Sequence, residues 1–239
     1  MSGRVNNVTA YVLHSRPYSE SSLIIDVFSQ THGHVPLLAR GARRPRSSLR
    51  GLLLAFQPLQ VSWSGKGAIY TLHKADWLGG LPLLQGEALI CGYYLNELLL
   101  RLLPREDAHP RLFERYSEIL VRLANAASRQ TLEGGLRRFE KNLLEELGYG
   151  LSLQHDHAGA AVEAEECYAY RIEQGPLKLA KHEASGLCVS GRTLLNLASE
   201  DFSAARTRQE SKQLMRTLLA YYLDGKPLQT RKMFGADIS

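Results

Sequence analysis

Between positions 40 and 50 the chain sets Arg40, Arg43, Arg44, Arg46 and Arg50 in eleven consecutive residues without one acidic side chain. Gly41, Pro45 and Gly51 punctuate the run, which rules out a regular helix or strand and predicts a loop or short irregular turn. Arginine is suited to phosphate: its guanidinium is planar, permanently charged and donates two hydrogen bonds in one plane. The competing reading of any such run is a solvated charge cluster with no ligand. Lys66 and Lys74 lie on the same N-terminal segment, and Arg206, Arg208, Lys212 and Arg216 recur near the other end. Residues 1–80 carry nine Lys/Arg against three Asp/Glu, residues 81–203 thirteen against eighteen, and residues 204–239 seven against three. The two ends are therefore basic and the middle acidic, a field that attracts polyanions if the ends meet.

The elements that must carry these cations divide in two. From Val8 to Leu78 the chain reads as five short strands, VTAYVLHSR, SLIIDVFSQ, HVPLLAR, QPLQVSWSG and AIYTLHKADWLG, with Gly65-Lys66-Gly67 as a tight hairpin between the last two. Both faces of SLIIDVFSQ are apolar except at Asp26, which predicts a central strand. Five strands in so short a span fit a small closed barrel, and the five-stranded OB barrel commonly binds single-stranded nucleic acid. Such barrels pair a basic groove with rings on which bases stack, and Tyr11, Tyr18, Trp63, Tyr70 and Trp77 are available, each weighed against core packing.

After Gly79-Gly80 the texture becomes helical. Leu83–Leu103 is apolar at mixed three- and four-residue spacing until Pro104, and a second helix runs from Pro110 to about Ala127. A third, from about Thr131 to Leu147, carries one stripe of Leu132, Leu136, Phe139, Leu143 and Leu147, closed by Gly148 as a left-handed cap. Residues 150–190 are irregular, with YAYRIEQGPLKLA read as a hairpin pivoting on Gly175-Pro176. A short helix over SGRTLLNLAS and a long one from Ala204 to Leu223 complete the chain, and the four late cations share the polar side of the last helix. The fold class expected is α+β: an OB barrel over 1–80, then a mainly helical domain over 81–239 with a hairpin insert.

The catalytic alternatives are poorly supplied. A nuclease-like enzyme using the same groove needs clustered carboxylates for Mg²⁺, and residues 1–80 offer only Glu20, Asp26 and Asp76, well spread. No GxxxxGK[ST] loop and no nucleophile elbow is present. Cys91, Cys167 and Cys188 are odd in number and widely spaced, which argues against a disulfide framework and against a four-cysteine zinc site. His155, Asp156 and His157 lack a third and fourth metal partner. No cofactor is expected. No apolar run approaches the ~20 residues of a membrane span, and MSGRVNNVTAYVL lacks a signal-peptide core, so a soluble, cytoplasmic protein is expected.

Three long stretches resemble the RecO family of bacterial recombination mediators: AYVLHSRPYSESSLIIDVFSQTHGHVPLLARGARRPRSSLRGLLLAFQPLQVSWSGKG, RRFEKNLLEELGYG and SKQLMRTLLAYYLDGKPLQTRKMF. The resemblance covers most of the chain in order. It implies an N-terminal OB barrel and a helical C-terminal domain, consistent with the strand and helix reading. It further implies binding of single- and double-stranded DNA, annealing of complementary strands, and loading of RecA onto coated single strands together with RecR, with localisation at the nucleoid. Family members also bind the acidic, Phe-ended tail of single-stranded-DNA-binding protein. Such a tail wants an apolar pocket rimmed by positive charge, and Leu136, Arg137, Arg138 and Phe139 are the residues expected to form it. Many members carry a four-cysteine zinc module after the GYG segment. This chain has only Cys167 and Cys188 there, with His155 nearby, and resembles the zinc-free branch.

Overall fold

The computed structural model describes residues 3–179 and 188–230. The chain forms two compact units, one running to Ala126 and resuming at Leu228, the other spanning Ala127–Pro227. The change from strand to helix near residue 80 and the boundary of compactness at Ala126 are thus different places in the chain.

The first unit is built on β1 (Gly3–Pro17), β2 (Leu23–Ser29), β3 (Gly33–Ala39), β4 (Pro58–Gly65) and β5 (Tyr70–Trp77), which close into a barrel in the order β1-β2-β3-β5-β4. All five expected strands are present. Neighbours are antiparallel except at the closing seam, where Leu37 and Leu38 of β3 pair in parallel with Tyr70 and Thr71 of β5. β1 is long enough to pair along β2 with its second half and along β4 from its first residues. This is the OB order. Alternate residues point inward, so Val12, Ile25, Val27, Val35, Leu37, Leu59, Val61 and Trp63 fill the barrel.

The two-faced apolarity of β2 has a structural reason. Ile25 and Val27 face the barrel interior, while Phe28 on the other face meets Phe113 and Tyr116 at ring-centroid distances of 5.4 and 6.0 Å. Those rings belong to α3 (Pro110–Ala124), which with α2 (Gly86–Leu102) packs in this same unit; a single turn, α1 (Leu49–Leu52), lies between β3 and β4. Asn96 of α2 ties the layers together. Its Nδ2 donates to the Leu13 carbonyl at 2.8 Å and its Oδ1 accepts from the Tyr116 hydroxyl at 2.5 Å. Asp26, the polar exception in β2, is buried and bonded to His34 Nε2 at 3.0 Å. Burial pushes its carboxyl up, but the His34 hydrogen bond and the charges of His34, Arg16 and His14 outweigh that and hold it below the usual range. The β2–β3 turn needs a glycine: Gly33 has φ +62°, and a Cβ there would lie 1.8 Å from the Asp107 carbonyl oxygen.

The second unit holds α4 (Arg129–Glu146), α5 (Gly191–Ala198) and α6 (Ala205–Tyr222) with a small three-stranded sheet. Ser128 caps α4 by accepting from the Thr131 N–H, and the expected stripe is buried at Leu132, Leu136, Phe139 and Leu143 but only half-buried at Leu147, which caps the helix C-terminus. Gly148 closes it at φ +81°, with the Tyr149 N–H returning to the Leu144 carbonyl. The hairpin differs from expectation in its pivot. β6 (Cys167–Arg171) and β7 (Gly175–Lys178) turn through residues 172–174, so Gly175 and Pro176 are the first residues of β7, paired with Arg171 and Tyr170. A third strand, β8 (Cys188–Ser190), was not anticipated; it pairs with β6 and brings Cys188 beside Cys167 in a disulfide with Cα atoms 6.2 Å apart. Cysteine spacing argued against a framework of disulfides, but it could not reveal the β6–β8 register, which pairs Cys167 with Ser190 and Ala169 with Cys188 and so makes the two cysteines diagonal neighbours. Residues 180–187 of the irregular region lie outside the described residues.

Candidate nucleic-acid interface

The arginine run folds as a series of turns from Arg40 to Ser48 that ends in α1, which carries Arg50. Its backbone is pinned from below. Ala42 is buried in the barrel core, and Leu49 packs against the same cluster. The Arg43 N–H donates to the Ser21 carbonyl at 2.9 Å, and the Arg43 guanidinium donates to the Ser19 carbonyl at 2.6 Å, fixing the run to the β1–β2 connection. Internal turn bonds from Arg44 to Gly41 and from Ser47 to Arg44 complete the brace. All five arginines are exposed, and among the described residues none of them makes an ion pair. Apolar residues buried beneath the run hold its charges in a fixed array over the barrel. Among the described residues no acid neutralises that array, so the free energy of pairing it is left for an external anion.

The aromatic candidates separate by burial. Tyr11 and Trp63 are 5% and 2% exposed and belong to the core. Tyr70 donates its hydroxyl to Glu106 at 2.9 Å. Tyr18 and Trp77 stand out, 62% and 58% exposed. Trp77 is oriented by a 3.4 Å bond from its Nε1 to Gln57 Oε1, and with Leu52, Leu54, Leu81 and Leu83 it lines a cleft of about 380 Å³ that reaches Gly51, the residue after Arg50. Tyr18 lies in the β1–β2 connection to which Arg43 is tied. Each exposed ring is thus next to one end of the arginine turn.

The remaining cations have different fates. Lys66 is exposed in the β4–β5 hairpin. Lys74 pairs with Asp76 at 2.5 Å. On α6, Arg206 is held by Glu210 at 2.6 Å, one turn away, and Glu210 also accepts from the Ser190 N–H and hydroxyl at the start of α5. Burial pushes the Glu210 carboxyl up, but bonds from Ser190, Thr193 and Arg206 outweigh it and hold it below the ordinary value. Arg208 donates to the carbonyls of Phe202 and Ser203 at 2.8 and 2.6 Å. Lys212 is half-buried, and Arg216 is exposed. Burial lowers the Lys212 pKa, the charges of Arg137, Arg129 and Arg216 lower it further, and Glu133 opposes them. Arg129, Arg137, Lys212 and Arg216 therefore form one basic cluster on α4 and α6. Arg129 was not singled out from the sequence, although the step Arg129, Glu133, Arg137 along α4 is a same-face spacing that could have found it.

Leu136 and Phe139 lie beneath that surface, 4% and 2% exposed. Arg137 is buried against Glu140 at 2.5 Å, and Arg138 pairs with Glu200 at 2.5 Å. The structure brings Arg137 together with Lys212 and Arg216, and places the two apolar residues in the core of the unit. Among the described residues no group of three or more His, Cys, Asp and Glu side chains converges to hold a metal. Asp156 instead accepts from the N–H groups of Ala158 and Ala160. No helix of the described residues is long and apolar enough to cross a membrane.

A closed five-stranded barrel with an unneutralised arginine turn flanked by exposed rings defines the class of OB-fold nucleic-acid-binding architectures. Comparison with known proteins gives the family. Residues 1–81 match the model for the N-terminal domain of recombination protein O, and residues 83–232 match that for its C-terminal domain. The DNA repair protein RecO of Dechloromonas aromatica is 59% identical over 231 residues, covering 97% of this chain and 96% of that protein. The RecO proteins of Aromatoleum aromaticum and of an Azoarcus species are 50% and 49% identical, each covering 96% of this chain and 95% of the relative. The chain belongs to the RecO family.

Proposed function

We propose that this chain is a DNA repair and recombination mediator that binds single- and double-stranded DNA and anneals complementary strands. Together with RecR it helps load RecA onto single strands coated by single-stranded-DNA-binding protein, acting in the cytoplasm at the nucleoid. The observation that carries the reading is the arginine turn: five exposed guanidiniums that make no ion pair among the described residues, braced on an OB barrel. Annealing brings two polyanions together, and their repulsion must be neutralised by contacts that do not depend on base sequence. Phosphate contacts from Arg40, Arg43, Arg44, Arg46 and Arg50, with Lys66 of the β4–β5 hairpin as a further contact, meet that need and release counterions. Trp77 and Tyr18 supply stacking that every base can use.

No covalent step is part of this reading. Of the three acids in residues 1–80, Asp26 is buried and engaged by His34 and Asp76 is paired with Lys74. That leaves Glu20 without a second carboxylate to share a cation. The partner tail, acidic and Phe-ended, is assigned to the cluster of Arg129, Arg137, Lys212 and Arg216, where the arginines gather around a half-buried lysine whose charge is disfavoured by burial and by its basic neighbours. An annealing assay with complementary oligonucleotides tests the reading. The wild type accelerates duplex formation, and an Arg43→Ala, Arg44→Ala, Arg46→Ala variant does not. Equal acceleration by the variant would remove the arginine turn from the mechanism.

A further inference from the structure

The second unit contains an acidic, tyrosine-lined pocket that the DNA reading does not use. Tyr149, just after the cap of α4, and Tyr222, at the end of α6, stack with ring centroids 4.0 Å apart and planes 17° from parallel. Tyr221 stands edge-on to Tyr222 at 5.2 Å and donates its hydroxyl to Glu173 Oε1 at 3.3 Å. Together with Tyr170 of β6 and Glu173 of the β6–β7 turn, Tyr149 and Tyr222 line an open cavity of about 370 Å³. No lysine or arginine is among its lining residues. Tyr149 and Tyr221 are 42% and 51% exposed, so their rings can be reached from solvent.

The charge of this pocket is opposite to that of the arginine turn. Glu173 pushes the Tyr221 phenol above its ordinary value, and burial and Glu173 do the same at Tyr222. Burial pushes Tyr170 to about 12, so these rings stay neutral and electron-rich at physiological pH. A negative carboxylate beside the faces of neutral tyrosines repels phosphate and attracts a cation. The position of Glu173 adds a second indication. It sits at φ +66°, a left-handed conformation that glycine or asparagine adopts at lower cost, yet the turn places a carboxylate there.

We propose that this pocket receives an arginine side chain of a protein partner. The guanidinium plane lies against the stacked Tyr149–Tyr222 pair and its N–H fork reaches the Glu173 carboxylate. A planar cation is favoured over an ammonium because the wall it meets is a flat ring and the acid at the rim accepts two parallel bonds. The pocket is thus an interaction site for a basic protein segment, separate in chemistry from the surfaces that take polyanions.

The probe is N-acetyl-arginine amide, titrated into the full chain while tyrosine ring resonances are followed by NMR, with uncharged N-acetyl-norleucine amide as control. Saturable shifts of Tyr149 and Tyr222 with the arginine probe alone are expected. Glu173→Gln weakens the binding by about fivefold or more. Glu173→Gly does the same while leaving the melting temperature unchanged or higher, since the turn favours glycine. Equal shifts with norleucine amide, unchanged affinity in Glu173→Gln, or stronger shifts of the same rings with oligothymidylate would each overturn the proposal, the last in favour of a base-stacking site.

Discussion

The arginine turn of the first unit and helix α6 of the second are similar in composition and opposite in how their charges are used. On the turn, five guanidiniums are exposed and make no ion pair with the described residues, while the backbone is fixed by Ala42 and the Ser19 and Ser21 carbonyls. On α6, Arg206 and Arg208 are committed to Glu210 and to the Phe202 and Ser203 carbonyls. The difference teaches that the number of cations on a surface is a weak guide to what it binds. A cation whose donors are already engaged contributes to folding, as Arg43 does in part through the Ser19 carbonyl, and only donors left free contribute to capture.

That contrast can be broken by mutation, and the largest effect belongs to the turn. Replacing Arg43, Arg44 and Arg46 with alanine lowers affinity for single-stranded DNA by about ten- to a hundredfold at moderate salt. The melting temperature should move by only a few degrees, because Arg44 and Arg46 are exposed and Arg43 gives up a single surface bond to the Ser19 carbonyl. The next effect comes from Trp77→Ala, which weakens single-stranded DNA binding by roughly tenfold, within the range of one lost stacking contact. DNA should also quench the fluorescence of exposed Trp77, a signal lost in Trp77→Phe since Trp63 is buried.

On α6 the effects fall on stability. Glu210→Gln removes the charged acceptor for Ser190 and Arg206 and costs about 1–2 kcal/mol in denaturant unfolding, with DNA affinity unchanged. Its pH dependence follows from a carboxyl whose folded pKa lies below the unfolded one. The stabilisation is complete above the unfolded value of ~4.3 and disappears as pH falls through the folded value, so the variant shows a shallower loss of stability in acid. The smallest effect is at Lys212, whose folded pKa is depressed. Its charge opposes folding below that pKa, and the penalty is relieved as pH rises toward the unfolded value of ~10.4. Lys212→Met is therefore neutral to slightly stabilising at pH 7, while it weakens capture of an acidic tail.

Much of this was legible in the sequence. Period-two alternation located all five barrel strands, and the two apolar faces of β2 announced a strand covered on both sides, as Phe28 against Phe113 shows. The parity of Trp63 with Leu59 and Val61 already pointed it inward. For Trp77 the same logic fails: it shares the parity of buried Ala75, yet it is the last residue of β5 and is 58% exposed. The stripe that identified α4 also fixed Leu136 and Phe139 as core residues, so a surface pocket built on them conflicts with the periodicity that defines the helix. Arg206–Glu210 was readable as a four-residue spacing, whereas the carbonyls that engage Arg208 are set by the turn before α6. β8 is three residues long, too short to carry a pattern, and the Cys167–Cys188 pairing depends on it.

The most direct test of the central claim is the salt dependence of single-stranded DNA binding, measured for the wild type, for the Arg43→Ala, Arg44→Ala, Arg46→Ala variant and for Arg206→Ala, Arg208→Ala. The slope of log affinity against log salt should shrink by about two units in the first variant, at ~0.7 per lost phosphate contact, and stay at the wild-type value in the second. An unchanged slope in the turn variant, with the loss appearing in the α6 variant instead, would contradict the assignment of DNA binding to the arginine turn.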